Sequence, residues 1–579
     1  MGDFRQLGLS VAALCCLAGP VLALNPGDTV DNFRLIDQNG LSHELYYLSD
    51  MKAVVLLATG NGCAASRSAA KSLDAMRAKY QAQGVEFLAI DSNLKDTPES
   101  IGKDVKAAGI GLPVLSDGLQ LIGESLGFSR SGEVLIVNAQ TWKVIYRGMV
   151  EKGSQNYVAD ALDASLNATP VKVAQTDSVG CNIVMPERAR LAAHQQISYE
   201  KTIAPMLSEH CVACHRQGGI APWQMSSYDM VLGFSPMIRE VVRTKRMPPW
   251  HADPHYGVFS NDRSLTAEQT KTLVHWIEAG SPRGTGTDPL TMVKKDWPVW
   301  PLGKPDLIVN LPKFDVPATG VIPYQMWTVD NPLDHDVWVR AVDFLPGDRA
   351  NLHHIIATIG GEMGGSGKRD AGDGSLADYV PGSEPLQIPP ESGILLKKGA
   401  KFGFQAHYTV NGKEATDVTQ MGLYFMDKPP QYRYRAAIMA NPKIMIPANT
   451  KVYTNDATHT FEQEVLVYSL HPHAHFRGSA AEFVAEYPDG HEAVLLNVPR
   501  YEFNWQTTYV LKTPVVLPAG TKVKYIMSYD NSTQNKANPD PNRVVPWGQQ
   551  TWDEMLFGVI RYRYLTLDAA PTQTAQVAQ

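Results

Sequence analysis

Cysteine is scarce in this chain of 579 residues, which has six of them and none after Cys214. Only Cys211 and Cys214 have the CxxC spacing, so the chain cannot complete a zinc ribbon, which needs two such pairs. Two other cysteines lie in an apolar N-terminal stretch. The remaining chain therefore has four cysteines: Cys63, Cys181, Cys211 and Cys214.

The chain also has no excess of positive charge and no long apolar run after its N-terminus. The net charge is −7 and the pI about 6.2, which gives no support to nucleic-acid binding. No later stretch is apolar for long enough to span a bilayer. With 44% hydrophobic and 19% charged residues, the composition is that of a globular protein. At ~150 residues per domain, the length predicts about four domains.

The first 23 residues have the features of a secretory signal peptide. Arg5 precedes an apolar run over residues 7–24, and Ala23 is a small residue at a suitable cleavage point. Cleavage would remove Cys15 and Cys16. A lipid-anchored cysteine would need a small residue before it, and the residue before Cys15 is leucine. We expect a periplasmic or secreted protein in an oxidising compartment.

Residues 24–170 alternate apolar runs with helical spacing. A helix with an apolar face is predicted over 69–82. Three short apolar runs are typical of buried strands: 54–58, 85–90 and 134–137. This layout resembles thioredoxin-like and peroxiredoxin-like α/β proteins. That fold places its nucleophilic cysteine at a turn from strand to helix, which is the position of Cys63.

The sequence departs from that fold in two places. Ser66 stands where a dithiol motif would have its resolving cysteine, and Gly132 stands where the fold has its cis-proline. Because a dithiol cycle needs a second thiolate, we favour a degenerate, structural or docking role for this domain. The alternative is a redox-active Cys63 in a peroxidase-like or disulfide-forming role, with Cys181 as a partner from the predicted linker over 171–197.

The sequence Cys211-Val212-Ala213-Cys214-His215 is the attachment signature of a c-type haem. In such a site both cysteines form thioethers with the haem vinyl groups and the histidine coordinates iron. The alternatives are a structural CxxC and half of a zinc site. We expect one covalent haem.

Met247 is the best candidate for the sixth iron ligand, because the prolines at 248 and 249 stiffen the loop that presents its sulfur. Helices are predicted from Ser198 and from Thr266, on either side of this loop. The segment 198–285 resembles the small class I cytochrome c fold. Other candidate ligands are Met206, Met225, Met230, Met237 and His251.

From residue 286 the pattern becomes that of short strands and Pro/Gly turns, typical of antiparallel sandwiches. We divide it into two halves, 286–435 and 436–565. Gly360 to Gly374 is predicted to be a flexible loop, and the tail over 566–579 to be disordered. The expected fold is therefore multidomain: α/β, then all-α, then all-β.

Histidines recur in this last region with the spacing of metal ligands. His471, His473 and His475 alternate, so on a strand their imidazoles share one face. Met555 would add a thioether, and two imidazoles with a soft sulfur favour copper over zinc. A second imidazole trio consists of His353, His354 and His407. Taken singly, each of these patterns is also common in surface or core positions.

In this order, the segments resemble the type II copper, ascorbate-dependent monooxygenases, the family of the peptidylglycine and dopamine hydroxylating enzymes. The resemblance covers about 306–564 and implies two jelly-roll-like halves. It implies an electron-transferring copper on His353, His354 and His407. It also implies a copper that activates dioxygen on His473, His475 and Met555, with His471 outside the ligand pair.

The leading hypothesis is an exported copper monooxygenase that hydroxylates a C–H bond, with electrons relayed through the fused haem from a periplasmic donor. Peptide-amidating relatives bind a substrate carboxylate with an arginine and a tyrosine, and His471 and Val559 stand at those positions. Peptidylglycine is therefore disfavoured, although a peptide or small-molecule substrate is expected. The alternatives are a non-catalytic copper-binding or electron-transfer protein, and a thiol-based module with metal accessories.

Overall fold

The structure is a computed structural model that describes residues 23–293, 297–360 and 374–567. Three predicted features lie wholly or mostly outside these ranges: the signal peptide, the glycine-rich loop and the tail. Among the described residues, no helix is both long and apolar enough to cross a membrane.

The N-terminal unit is a layered α/β domain. Its helices are α1 (Ala64–Gln81), α2 (Pro98–Ala108), α3 (Leu121–Ser125) and α4 (Tyr157–Leu166). Its strands are β1 (Arg34–Asp37), β2 (Ser42–Glu44), β3 (Ala53–Thr59), β4 (Val85–Asp91), β5 (Val114–Ser116), β6 (Arg130–Ser131), β7 (Val134–Asn138), β8 (Val144–Gly148), β9 (Glu151–Lys152) and β10 (Gln155–Asn156). Seven strands form one sheet in the order β2-β1-β5-β4-β3-β7-β8.

Strand β3 explains why this sheet is buried on both faces. Its sequence AVVLLAT is apolar almost throughout, so successive side chains enter cores on opposite sides. Val55 and Leu57 pack with residues of α1, α2 and α4, whereas Val54 and Leu56 belong to a second cluster. The three predicted strands and the predicted helix over 69–82 are confirmed.

The segment 171–197 packs against the sheet domain and does not extend away from it. It contains β11 (Cys181–Asn182), a 3-10 turn at Pro186–Arg190 and α5 (Leu191–His194). Ile183 and Met185 are buried in the second cluster, and the Gln120 side-chain amide donates to the Val184 carbonyl at 2.7 Å. The segment predicted as a linker therefore makes tertiary contacts. Its sequence has no clear periodicity, so these contacts could not be predicted from it.

A helical region follows, with α6 (Ala204–His210), α7 (Tyr228–Arg243) and α8 (Ala267–Glu278). The helix predicted from Thr266 is confirmed as α8, and a capping box begins it, because Thr266 and Gln269 each accept a hydrogen bond from the other's backbone amide. Buried residues of this region, such as Trp276, share the second cluster with the thioredoxin-like sheet. The helical region is therefore docked on the N-terminal domain through a common core.

The rest of the described chain is all-β. Its strands are β12 (Leu307–Asn310), β13 (Phe314–Val316), β14 (Gln325–Val329), β15 (Val337–Leu345), β16 (Leu352–Ile359), β17 (Ser375–Tyr379), β18 (Leu386–Gln387), β19 (Ser392–Leu396), β20 (Phe402–Tyr408), β21 (Ala415–Asp417), β22 (Gln420–Phe425), β23 (Tyr432–Arg433), β24 (Arg435–Ala440), β25 (Met445–Ile446), β26 (Tyr453–Thr460), β27 (Val465–His473), β28 (Gly478–Glu486), β29 (Glu492–Val498), β30 (Tyr509–Leu517), β31 (Lys522–Tyr529), β32 (Val545–Pro546) and β33 (Phe557–Tyr564).

These strands form two groups, each around its own core. In the first group a six-stranded sheet and the sheet β14-β20-β16-β17 share one hydrophobic cluster. In the second group the sheets β24-β33-β27-β30 and β26-β31-β28-β29 share another. The chain passes from the first group to the second between Arg433, which pairs with β19, and Arg435, which pairs with β33.

Candidate functional site

Cys63 forms a disulfide with Cys181, and the two Cα atoms are 6.0 Å apart. Cys63 is the buried residue that caps the N-terminus of α1, whereas Cys181 is exposed on β11. The Ser66 hydroxyl donates to the Cys63 carbonyl at 3.2 Å and so stabilises the first turn of α1. The second sulfur that the CxxS motif lacks is therefore supplied by a distant segment.

Gly132 allows that segment to approach. Its φ is +116°, a backbone conformation that proline cannot adopt, and a Cβ atom here would lie 2.9 Å from the Val179 carbonyl oxygen. Gly180 has a φ of +146°, and a Cβ there would collide with the Ser131 carbonyl. The two glycines let β11 pair with β6, where Cys181 lies opposite Ser131. The missing cis-proline is thus explained by the pairing that brings Cys181 to Cys63.

The CxxCH sequence forms a compact turn after α6. The amides of Cys214 and His215 both donate to the Cys211 carbonyl, at 3.1 and 3.0 Å. His215 Nδ1 lies 3.1 Å from the Trp223 carbonyl oxygen, so this nitrogen carries the proton and Nε2 is the one that can bind a metal. Cys211 and Cys214 are free cysteines of intermediate exposure, and burial raises the pKa of both thiols.

Met247 lies beyond the end of α7, on the loop before α8, and residues of this loop pack into the core of the second β group. Trp250, on the same loop, packs edge-on against Tyr509 with ring centroids 4.9 Å apart. His251 is buried, and its burial lowers the pKa to about 4. The Met225 amide donates to the His215 carbonyl at 2.9 Å, which places the backbone of that alternative ligand beside the CxxCH turn.

His353, His354 and His407 come together, with one ligand nitrogen from each lying within 4.8 Å of the others. His354 and His407 are opposite each other on β16 and β20 and therefore share a face. Neighbours on a regular strand point to opposite faces, but the register shifts between Leu352 and His354, which makes His353 the extra residue of a β-bulge. The bulge brings His353 Nδ1 to 3.1 Å from His354 Nδ1.

His473 and His475 lie side by side at the end of β27, with ring centroids 5.3 Å apart. The strand ends at His473, so the expected alternation does not extend to His475. His473 Nδ1 contacts the Gln506 side-chain oxygen at 2.7 Å, and His475 Nδ1 contacts the Asp553 carbonyl at 3.2 Å. These contacts leave the Nε2 atom of each ring as the nitrogen that could bind a metal.

Glu554 ties the predicted methionine ligand to the histidines. Its fully buried carboxylate accepts hydrogen bonds from the backbone amides of His475 at 2.8 Å, Arg477 at 2.6 Å and Met555 at 3.3 Å. Burial raises the pKa of Glu554 to about 8, while the amide donors oppose that rise. The segment 551–555 and the end of β27 are thus held together through one side chain.

The two histidine groups meet between the two β cores. The rings of His354 and His473 are 6.3 Å apart, and Tyr324 has its ring 4.7 Å from His407 and 6.3 Å from His475. Phe503 stacks on His353 at 4.6 Å. The five imidazoles of the two groups therefore form one continuous cluster.

The imidazoles of this cluster are neutral, the form in which histidine binds a metal. Burial lowers the pKa of His353 and His473 to about 4 and that of His407 to about 3. The pKa values of His354 and His475 are also far below their usual range, for the same reason. Within the described residues, five buried ring nitrogens have no hydrogen-bond partner, and four of them belong to this cluster: Nε2 of His353, His354 and His475, and Nδ1 of His407; the fifth is Nε2 of His251. Such orphaned nitrogens fit a metal ion.

His471 has a different environment. Its Nδ1 is 2.9 Å from the Thr508 hydroxyl, and it lies directly opposite Val559 in the pairing of β27 with β33. The two positions that would hold a substrate carboxylate in the peptide-amidating relatives are therefore neighbours here, and neither is an arginine or a tyrosine.

Sequence reasoning missed Tyr324, Phe503 and Gln506, which have no motif. Gln506 and Phe503 belong to the 499–508 loop between β29 and β30. The same loop contains Arg500, whose guanidinium donates to the carbonyls of Thr244 at 3.1 Å and Lys245 at 2.7 Å. It thus joins the end of α7, near Met247, to the histidine cluster.

Comparisons with known proteins bear on the N-terminal domain. Residues 26–151 match the AhpC/TSA family model. The chain is similar to a hypothetical protein from Sinorhizobium meliloti 1021, with 25% identity, a TM-score of 0.26 and coverage of 28% of this chain and 94% of that one. It is similar to peroxidoxin BcpB from Mycobacterium tuberculosis, with 21% identity, a TM-score of 0.22 and coverage of 25% and 97%.

A third similar structure is the thioredoxin domain of a thiol-disulfide oxidoreductase from Bacteroides vulgatus, with 16% identity, a TM-score of 0.21 and coverage of 25% of this chain and 98% of that one. No curated protein matches the chain. The family match and the sheet topology together identify a thioredoxin-like N-terminal domain.

Proposed function

We propose that the chain is an exported copper-dependent monooxygenase whose haem-binding helical region passes electrons to the histidine cluster. The observation that supports this most is the convergence of five neutral, buried imidazoles, four of them with an orphaned ring nitrogen. His353, His354 and His407 would hold one copper, and His473, His475 and Met555 the other. Bound there, copper would supply one-electron chemistry and a site for dioxygen.

The reaction class is hydroxylation of a C–H bond. One oxygen atom of dioxygen enters the C–OH product and the other leaves as water, so two electrons and two protons are consumed. The side chains on either side of the cluster suit this chemistry, because Tyr324 and Phe503 cover it and leave the imidazoles almost without exposure to water. The residues at His471 and Val559 argue against a substrate held by its carboxylate.

The electron source is the haem expected on Cys211, Cys214 and His215, in a region that resembles a class I cytochrome c. The Trp223 carbonyl would hold His215 in the tautomer that binds iron. The 499–508 loop links the Met247 loop to the cluster through Arg500, Phe503 and Gln506. A single loop therefore connects the two predicted redox regions.

Oxygen consumption by the ascorbate-reduced protein tests the proposal. Met555→Ala should abolish oxygen uptake, whereas Met445→Ala, at an exposed methionine of the same unit, should leave it unchanged. Undiminished oxygen uptake in Met555→Ala would contradict the assignment. If oxygen uptake is absent from the wild-type protein although copper and haem are bound, the non-catalytic electron-transfer alternative is favoured.

Haem loading has its own test. Haem-matured protein should retain its colour through acid–acetone extraction, because thioether bonds survive it, and Met247→Ala should change the spectrum of the axial ligands. A protein without covalent haem, or a spectrum that the substitution leaves unchanged, would contradict this part of the proposal.

A second candidate function, thiol–disulfide exchange, is favoured by the Cys63–Cys181 disulfide and by the AhpC/TSA match. An external thiolate would attack the exposed Cys181 sulfur and release the Cys63 thiolate, and a second external thiol would complete the reduction. Cys63-dependent reduction of insulin disulfides or of hydrogen peroxide would support this function. Without such turnover, the disulfide is a structural cross-link.

A further inference from the structure

A second cluster of metal-ligand side chains lies far from the copper ligands along the chain, where the helical region docks on the thioredoxin-like domain. It contains Glu187, His194 and His275, and one ligand atom from each lies within 4.8 Å of the others. Glu124 lies beside them, with its Oε2 atom 2.9 Å from His275 Nε2. We propose that these residues bind one divalent transition-metal ion, for which zinc is the test ion.

The four side chains come from four different elements. Glu187 lies in the turn Pro186–Arg190, His194 ends α5, His275 is on α8, and Glu124 is on α3 of the thioredoxin-like domain. An ion here would therefore clamp the segment after Cys181 and helix α8 to that domain.

The geometry places the two imidazoles side by side, with their ligand nitrogens close together. The rings of His194 and His275 are stacked, with centroids 4.2 Å apart and planes at 6°. His194 Nε2 is 2.9 Å from Glu187 Oε2, so both Nε2 atoms face a carboxylate. Two nitrogens on one tetrahedral zinc, each at 2.0–2.1 Å, lie roughly 3.3 Å apart, so the two parallel rings would tilt towards each other when the ion binds.

Burial and charge favour an ion over simple hydrogen bonding. His194, His275 and Glu124 are 6%, 4% and 8% exposed. Among the described residues, the second oxygen of Glu124, Oε1, is buried without a hydrogen-bond partner, which leaves an acceptor that an ion would satisfy. One divalent cation would balance the two carboxylates, and its ligands would be two imidazoles and carboxylate oxygen, a set without sulfur that zinc accepts.

The cationic side chains nearby do not fill this position. Arg190 pairs with the other oxygen of Glu187, Oε1, at 3.0 Å from the exposed side. Arg188 donates to the Gly123 carbonyl at 3.2 Å. Both guanidinium groups thus have partners outside the space between the two imidazoles.

Zinc counting on the full-length, chelator-treated protein tests the proposal. After equilibration with zinc, Glu187→Gln should hold about one ion fewer per chain than wild type, or bind it at least roughly tenfold more weakly. The glutamine oxygen can still accept from His194, so this variant keeps the hydrogen bond and its fold. Glu268→Gln, at an exposed residue in the first turn of α8, is the matched control and should bind as wild type does. Equal zinc in Glu187→Gln and wild type, or equal loss in Glu268→Gln, would overturn the proposal.

Hydrogen exchange provides a second readout that the copper ligands do not affect. Zinc should slow amide exchange over residues 186–194 in the wild type and in His407→Ala, but not in His194→Gln. If His194→Gln does not fold, Glu187→Gln takes its place. Exchange over 186–194 that zinc leaves unchanged in the wild type would overturn the clamp.

Discussion

Replacing Cys181 with serine should destabilise the N-terminal domain by removing its cross-link. Cys181 is exposed and Cys63 is only 4% exposed, so the substitution at residue 181 loses little packing of its own. The measured effect should therefore be that of the covalent link.

The size of the effect follows from the loop that the link closes. Cys63 and Cys181 are separated by 118 residues. If the cross-link acts only on the unfolded chain, closing a loop of that length removes about 5 kcal/mol of chain entropy from the unfolded state. At ~2 °C per kcal/mol for a unit of this size, the melting temperature should fall by about 10 °C.

Thermal unfolding followed by circular dichroism, with and without reductant, measures this. Reductant should lower the melting temperature of the wild type to that of Cys181→Ser and should leave Cys181→Ser unchanged. Cys63→Ser and the double variant should match the single variant once the small packing loss at residue 63 is subtracted. Equal melting temperatures for oxidised wild type and Cys181→Ser would refute the reasoning.

Three further outcomes are expected. Gly132→Ala should slow formation of the disulfide, because its Cβ would crowd the Val179 carbonyl at a φ of +116°; free-thiol titration during reoxidation measures this, and an unchanged rate would contradict it. Burial raises the pKa of Asp117 from 3.8 to about 6, so the stability it contributes is complete below pH ~4 and is lost as the pH rises through 6. The loss is about 3 kcal/mol. In Asp117→Asn the urea midpoint of unfolding should therefore depend less on pH between pH 4 and 7 than in the wild type. An equal pH dependence of the midpoint in both proteins would count against this role of Asp117. Glu554→Ala leaves three backbone amides unpaired, including that of His475, and should therefore lower copper retention. Glu554→Gln keeps an oxygen that can accept from these amides and should retain more copper. Equal copper retention in both variants would contradict the role of Glu554 in positioning the ligands.

The thioredoxin-like fold could be predicted because its signals are local. The run in β3 is apolar on both faces, and the helix that follows Cys63 has regular spacing. The capping box of α8 is likewise a short pattern whose geometry is determined within a few residues.

The rest depends on contacts between distant residues. The sequence offered Cys181 only as an alternative partner for Cys63, and the approach of β11 past Gly132 shows that the two cysteines are joined. His353 joins His354 because of a bulge, which no local pattern of the dipeptide indicates. Tyr324 and Phe503 complete the cluster from segments that carry no motif.

Copper bound per chain tests the central claim most directly. Chelator-treated protein is loaded with Cu(I), dialysed and analysed for metal, alongside His407→Ala and His491→Ala, the latter at an exposed histidine of the second β group. We expect about two copper ions in the wild type and in His491→Ala, and about one in His407→Ala, with the site of Met555 still occupied. A wild-type protein without bound copper, or a His407→Ala variant that binds as much as the wild type, would contradict the account.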